Sequence, residues 1–231
     1  MTLHRHPPTW LLHGGRPVSR WLIRRRYDVR EHGTGQVPPQ GPVIVAANHT
    51  GVIDGPLLAI FGPRPVHTLT KEEMFRGRLG PLLRATGQIR IDRFSSDLRA
   101  IRTCLHVLEH GGAVGIFPEG NRGAGDLHRF RNGAAYLALV TGAPIVPLMM
   151  FGTRPPGGGK DAVPPHRGVI DLVYGAPYRV ERTPWPRTRT LVAATSEALH
   201  DRMQEELAAG LALTGQSLPG PIPAGEAKDI S

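Results

Sequence analysis

The chain alternates between short apolar runs and longer segments in which apolar residues recur every three or four positions. The short runs are rich in β-branched residues and predict strands at 27–33, 41–48, 65–71, 88–93, 113–117, 144–152 and 168–175. The longer segments predict helices at 16–27, 54–62, 80–87, 96–110, 133–142 and 188–209. Strands that alternate with helices are typical of α/β folds. We therefore predict a single layered domain whose central sheet, largely parallel or mixed, is flanked by helices.

Two predicted helices carry start and stop signals. Pro56 lies in the first turn of the helix that begins near Asp54, where its missing N–H matters little. The helix over 96–110 has Ser96 or Asp97 as its cap and Gly111 at its end. Its core-facing stripe is predicted at Leu98, Ile101, Leu105 and Leu108.

The two ends of the chain differ from its middle. The first 26 residues form a basic amphipathic segment with Val18, Trp21 and Leu22 on one helical face. This helix fits either contact with the headgroups of an anionic membrane or packing on the protein's own surface. The last residues have little to bury. We divide the chain into a basic N-terminal segment (1–26), a folded domain (27–210) and a flexible tail (211–231).

Composition limits the classes of function. The 231 residues carry a net charge of +9, which indicates either an anionic partner or a bias toward Arg, since only three of the 28 basic residues are Lys. Cys104 is the single cysteine, so no intramolecular disulfide can form. The scattered histidines lack ligand spacing, and we predict no metal site. No recognition-helix or aromatic-sheet signature is present, so we predict no nucleic-acid partner.

The same composition bears on location. Residues 1–15 do not have the pattern of a signal peptide, and no run approaches the roughly 20 apolar residues of a spanning helix. We therefore predict a peripheral protein on the cytoplasmic face of the cell membrane, without a transmembrane helix.

Polar residues follow the strand at 41–48 directly, in the sequence NHTGVID. In open α/β sheets, sites lie at the carboxyl ends of strands. A carboxylate that accepts the Nδ1 proton of a histidine leaves Nε2 free as a base, so His49 and Asp54 are candidate catalytic residues. The stretch contains no Ser or Cys, so the attacking hydroxyl has to come from a substrate. Taken singly, Asp54 also fits a helix N-cap and His49 a loop histidine.

Two further turns carry candidate binding residues. In FPEGNRG, glycines such as Gly120 allow close approach of a ligand, and Arg122 is a forked donor for phosphate. Glu119 is unexpected in an anion site; it fits orientation of Arg122, binding of a substrate hydroxyl, or an ordinary turn carboxylate. In GQIRIDR, Arg93 either pairs with the preceding aspartate or helps to hold phosphate.

Together and in this order, NHTGVID, GQIRIDR, FPEGNRG and APIVPL resemble the motifs of the glycerolipid acyltransferase family, in particular its PlsC-like 1-acylglycerol-3-phosphate acyltransferases. The resemblance covers about residues 27–180. It implies that His49 is the general base that deprotonates the free hydroxyl of lysophosphatidic acid, and that Asp54 orients it. It also implies acyl-CoA or acyl carrier protein as donor, no acyl-enzyme and no cofactor. The implied acceptor-binding residues are Arg93, Glu119, Gly120 and Arg122.

Three positions depart from the family pattern. Asn121 and Gly123 replace the usual Thr and Ser, and Arg90 stands where the family often has Phe. These departures leave the acceptor's identity open. The alternatives are another lysophospholipid or hydroxylated acceptor, or a thioester hydrolase in which His49 activates water.

Overall fold

The computed structural model describes residues 7–8, 10–92 and 97–226. Its strands are β1 (Asp28–His32), β2 (Val43–Ala47), β3 (Val66–Lys71), β4 (Ile89–Ile91), β5 (Ala113–Ile116), β6 (Ile145–Phe151) and β7 (Val169–Tyr174). Its helices are α1 (Trp10–Arg26), α2 (Asp54–Phe61), α3 (Glu72–Arg76), α4 (Gly80–Ala85), α5 (Leu98–Glu109), α6 (Gly133–Thr141) and α7 (Arg189–Thr214). A short 3₁₀ turn spans Thr34–Gln36.

Within the described residues, the seven strands form one sheet in the order β1-β7-β6-β2-β5-β3-β4. Neighbouring strands are parallel except β6 and β7, which are antiparallel. The predicted α/β domain with a mixed, largely parallel sheet is therefore confirmed. The sheet is mixed because the excursion from β6 to β7 is a loop without a crossover helix, so the chain reverses its direction there.

Both faces of the sheet are covered, which explains why its strands are continuous apolar runs. Along β2, side chains alternate between the two faces: Val43, Val45 and Ala47 belong to one core cluster, and Ile44 and Ala46 to the other. The first cluster continues into α2, and the second into α5, α6 and α7. The domain is thus a three-layer α/β/α arrangement.

The topology brings three chain segments to one edge of the sheet. Strands β6, β2 and β5 are adjacent and parallel, so their carboxyl ends lie side by side. The chain leaves β2 toward β3 on one side and returns from β5 to β6 on the other, which makes β2 a topological switch point. The residues that follow these three strands are therefore expected to form a site.

Several predicted boundaries differ from the structure. Helix α1 begins at Trp10, six residues earlier than predicted, and α7 continues to Thr214, so the boundary placed after residue 210 lies inside a helix. The predicted stripe of α5 is wrong at Leu98, which is exposed. Leu108 is buried as predicted, and Ile101 and Leu105 are partly buried and pack against the core. The other buried positions of α5 are Ala100, Cys104 and Val107, so the core-facing side of the helix is rotated from the predicted one.

Candidate active site

His49 and Asp54 form a hydrogen-bonded pair at the end of β2. His49 Nδ1 lies 2.9 Å from Asp54 Oδ2, and the same oxygen accepts the backbone N–H groups of Thr50 (2.7 Å) and Gly51 (2.8 Å). Asp54 is fully buried and is the first residue of α2, whose cap is Ile53, so it is not an N-cap. With the Nδ1 proton donated to Asp54, Nε2 of His49 is the free acceptor.

The loop that carries His49 is fixed to the last residues of β6 and to Thr153, which follows that strand. Asn48 is buried and exchanges two hydrogen bonds with the backbone of Met150, from Nδ2 to the carbonyl (3.1 Å) and from the Met150 N–H to Oδ1 (2.7 Å). The hydroxyl of Thr50 is hydrogen bonded to that of Thr153 at 2.7 Å. A Cβ at Gly51 would lie 2.5 Å from the Thr153 carbonyl oxygen, so only glycine fits there. The loop is therefore held from one side by hydrogen bonds from Asn48 and Thr50 to Met150 and Thr153.

The FPEGNRG turn after β5 holds the loop from the other side. Glu119 Oε1 accepts the backbone N–H of His49 at 2.7 Å, and the Gly123 N–H donates to the His49 carbonyl at 2.8 Å. The ring of Phe117 stacks on the imidazole with centroids 4.2 Å apart. Gly120 has a positive φ of 72° and is tightly packed against another side chain, so the turn requires glycine. The position of His49 is thus fixed by residues at and just after the ends of two neighbouring strands, β6 and β5.

Glu119 is an unusual carboxyl group. It is only 5% exposed, and burial raises its pKa to about 8, with Asp126 and Asp54 adding to the increase and the hydrogen bond from His49 opposing it. At neutral pH the side chain therefore carries a proton. A neutral carboxyl group can donate a hydrogen bond to an anion, which removes the apparent conflict between Glu119 and a phosphate site.

A cleft of about 370 Å³ opens beside His49. It adjoins the backbone of His49, because its lining residues Glu119 and Gly123 are hydrogen bonded to the His49 N–H and carbonyl. Its lining residues are Glu119, Asn121, Arg122, Gly123, Ala124, Asp126, His128, Arg129, Pro221 and Ile222. The volume lies at the lower end of ligand sites, so the cleft has room for part of a lipid and not for a whole one.

Arg122 lines this cleft, and it has partners within the protein. Its Nη1 contacts Asp161 Oδ1 at 3.0 Å and the carbonyl oxygen of Lys160. Asp161 comes from the loop between β6 and β7 and is 70% exposed, so the ion pair is open to solvent. An incoming phosphate can therefore compete with Asp161 for the guanidinium.

The remaining predicted residues have different outcomes. Arg93 lies outside the described residues, so its role stays a prediction. Arg90 pairs with Glu72 at 3.6 Å on the β3–β4 side of the sheet. Sequence reasoning missed Arg154, which is 2% exposed and donates to the Thr50 and Gly123 carbonyls at 2.9 and 2.8 Å.

The part of the chain that the structure describes contains neither a metal-binding cluster nor a membrane-spanning helix. No group of three or more His, Cys, Asp or Glu side chains is arranged there to hold a metal ion. None of its helices combines the length and apolar character needed to cross a bilayer.

Comparison with known proteins adds independent information. Residues 28–151, more than half of the chain, match the family model described as Acyltransferase. The 1-acyl-sn-glycerol-3-phosphate acyltransferase of Bacillus subtilis is 27% identical over 186 residues, which cover 80% of this chain and 90% of that protein. The enzyme of the same name from Borreliella burgdorferi is 32% identical over 142 residues, which cover 59% of this chain and only 56% of that protein.

One solved structure has the same fold. The crystal structure of the 1-acyl-sn-glycerophosphate (LPA) acyltransferase PlsC from Thermotoga maritima has a TM-score of 0.63 and 24% sequence identity to this chain. The match covers 86% of this chain and 78% of that one. The fold of this chain is therefore shared with that enzyme.

Proposed function

The chain belongs to the acyltransferase family, and from this premise we propose that it transfers a fatty acyl chain from a thioester donor to the free hydroxyl of lysophosphatidic acid, giving phosphatidic acid. The observation that carries the proposal is the His49–Asp54 pair beside a cleft that contains Arg122. The relatives named for this reaction support the choice of acceptor. Acyl-CoA or acyl carrier protein would be the donor, without a further cofactor.

The reaction needs one base and one attacking hydroxyl. Nε2 of His49 takes the proton of the acceptor hydroxyl as its oxygen attacks the thioester carbonyl. The C–S bond breaks when the tetrahedral intermediate collapses, and the leaving thiolate takes the proton from His49. No acyl-enzyme is required, because Thr50 is buried and engaged with Thr153, and Cys104 is buried in the core.

The acceptor's headgroup fits the cleft in charge and in hydrogen bonding. Arg122 supplies a positive charge and a forked donor for the phosphate. Protonated Glu119 donates to a phosphate or glycerol oxygen without repelling it. Gly120 allows the backbone of the turn to approach the ligand. Arg93 is proposed to contribute a second positive charge.

We also propose that α1 rests on an anionic membrane at the cytoplasmic face. The arginines on one side of α1 hold the helix to the domain: Arg20 Nε donates to the Ile60 carbonyl at 2.9 Å, and Arg16 Nε donates to the same oxygen at 3.0 Å. This leaves the apolar side exposed, with Trp21 at 56% and Leu22 at 54%. The two interpretations of α1 are therefore compatible, because the helix packs on its domain and still presents an apolar, Arg-flanked face.

The function is tested by incubating the pure protein with a labelled oleoyl thioester and liposomes that contain lysophosphatidic acid. Phosphatidic acid made by the parent and reduced at least about 100-fold in His49→Ala would support the reaction and its base. Labelled free fatty acid as the sole product would replace the proposal with a hydrolase. Activity on a different lysolipid only would replace the acceptor.

Arg122→Ala separates the phosphate role from general damage. We expect the acceptor KM to rise well above that of the parent while the donor KM changes little, because the guanidinium contacts the headgroup. Equal increases in both KM values would remove Arg122 from the acceptor site.

Membrane contact is tested by sedimentation with liposomes of anionic phospholipid at low salt. The double variant Trp21→Ser and Leu22→Ser should bind several-fold more weakly than the parent, since apolar insertion is lost. Leu213→Ser is the matched control, because Leu213 is 62% exposed but lies on α7. Equal binding by all three proteins would refute the contact.

A further inference from the structure

The segment that follows α7 returns to the edge of the sheet that holds His49. Leu218 packs against the core cluster beneath this edge, and Pro219 is buried. Pro221 and Ile222 then line the same cleft as Glu119. The prediction that the tail has little to bury is therefore wrong for these residues. We call residues 216–222 the strap.

Hydrogen bonds from two different elements fix the strap. At its start, Gln216 Nε2 donates to the carboxylate of Asp171 in β7 at 3.0 Å. In its middle, the carbonyl of Pro219 accepts the N–H of Gly157 at 3.0 Å. The strap is thus joined to β7 and to the loop between β6 and β7 before it reaches the cleft.

Arg154 couples the strap to the catalytic loop. Its buried guanidinium donates to carbonyl oxygens of four separate segments: Thr50 (2.9 Å), Gly123 (2.8 Å), Gly158 (2.6 Å) and Gly220 (2.5 Å). The first belongs to the loop of His49, the second to the turn of Glu119, and the last to the strap. Displacing a buried guanidinium that donates to four carbonyls is costly, so these segments keep a fixed relative position.

We propose that the strap is one wall of the acceptor site and that Ile222 is a specificity-determining residue, which favours an acceptor bearing a hydrocarbon chain over a bare glycerol phosphate. The cleft contains cations and a neutral acid for the headgroup, while Pro221 and Ile222 give it an apolar side. A surface with both characters matches an amphiphile such as a lysophospholipid. This inference rests on the proposed function and adds the segment that contacts the acceptor's hydrocarbon chain.

Two substitutions test the wall without disturbing the core. Ile222→Ala shortens the side chain that faces the cleft. Gly220→Ala strains the strap beside the Arg154 contact, because Gly220 has a φ of 78° and open space around it. Gly41→Ala is the matched control: Gly41 has a φ of 81° and equally open surroundings, but it precedes β2 at the opposite edge of the sheet.

The readout is equilibrium binding by calorimetry, with a short-chain lysophosphatidic acid below its micelle-forming concentration and with glycerol 3-phosphate. In Ile222→Ala, affinity for the lysolipid should fall about fivefold, as expected for loss of a half-buried aliphatic group, and affinity for glycerol 3-phosphate should stay within about twofold. Gly220→Ala should also weaken lysolipid binding, and Gly41→Ala should not.

The outcomes separate this inference from the proposed function. Acyl transfer by the parent tests the function, whereas the binding ratio tests the strap and needs no turnover. Unchanged lysolipid affinity in Ile222→Ala would overturn the proposal even if the parent is an active acyltransferase. An equal loss for both ligands, or a parent that does not bind the lysolipid, would also overturn it.

Discussion

The buried carboxyl group of Glu119 leads to a pH-dependent prediction about stability. Burial raises its pKa from 4.5 to about 8. Each pKa unit corresponds to 1.36 kcal/mol, so ionisation of this group is disfavoured in the folded protein by about 5 kcal/mol relative to the unfolded chain. The neutral isostere in Glu119→Gln keeps the shape of the side chain and removes this penalty.

The sign of the effect follows from proton binding. Between pH 4.5 and 8 the folded protein keeps the Glu119 proton that the unfolded chain loses, so this group lowers the free energy of unfolding as pH rises. The slope is about −1.4 kcal/mol per pH unit within that range and levels off above it. The stability of Glu119→Gln minus that of the parent should therefore increase by about 3 to 4 kcal/mol from pH 5 to pH 8.

Urea unfolding of parent and variant at pH 5, 6.5 and 8 measures this difference directly. The other titrating groups contribute equally to the free energy of unfolding of both proteins, so their contributions cancel in the difference. Glu109→Gln is the control for the chemical change itself, because Glu109 is exposed on α5. A difference for Glu119→Gln that stays level within about 1 kcal/mol would show that the carboxyl group is already ionised in the folded protein.

The same ionisation should appear in catalysis. Above about pH 8, a charged Glu119 would repel the acceptor's phosphate, so the acceptor KM of the parent should rise with pH while that of Glu119→Gln stays level. Parallel KM profiles for the two proteins would separate Glu119 from the acceptor.

Three further substitutions probe the site by steady-state kinetics. Asp54→Asn keeps an oxygen that accepts the backbone N–H groups of Thr50 and Gly51, but it removes the negative charge beside His49. That charge stabilises the imidazolium by about 4 kcal/mol at an effective dielectric constant near 20, so kcat should fall about 10³-fold. A loss below tenfold would contradict this role. Asp161→Asn frees Arg122 from an exposed ion pair, which should lower the acceptor KM about two- to fivefold; an unchanged KM would mean that the pair does not compete with the phosphate. Gly51→Ala places a Cβ 2.5 Å from the Thr153 carbonyl and should reduce kcat about 10²-fold by shifting the catalytic loop, whereas kcat equal to the parent's would show that the loop tolerates the displacement.

The parts of the site that could be predicted from the sequence depend on short-range signals. His49 and Asp54 are five positions apart and directly follow an apolar strand, so the end of β2 and the start of α2 bring them together. Glu119 and Arg122 follow β5 in the same way. The α/β class was predictable for a similar reason, because each element carries its own periodicity and boundary residues.

The parts that could not be predicted depend on how distant segments return to the site. Arg154 and Gly220 are 66 positions apart, and Asp161 is 39 positions from Arg122. No local pattern distinguishes such residues from other loop residues. The acceptors of Arg154 are backbone carbonyls, which every residue type has. The residue types of its partners therefore give no sequence signal from which these contacts could be predicted.

The same dependence on backbone groups explains how the chain departs from its family without losing the reaction. Gly123 stands where the family has Ser, yet it contacts the site only through its N–H, which donates to His49, and its carbonyl, which accepts from Arg154. A Cβ at this position would lie 3.2 Å from Glu119 Oε2. Glycine therefore preserves the position of the base and leaves more room beside the neutral acid. The departure therefore changes the space beside Glu119, while the hydrogen bonds that join Gly123 to His49 and to Arg154 stay in place.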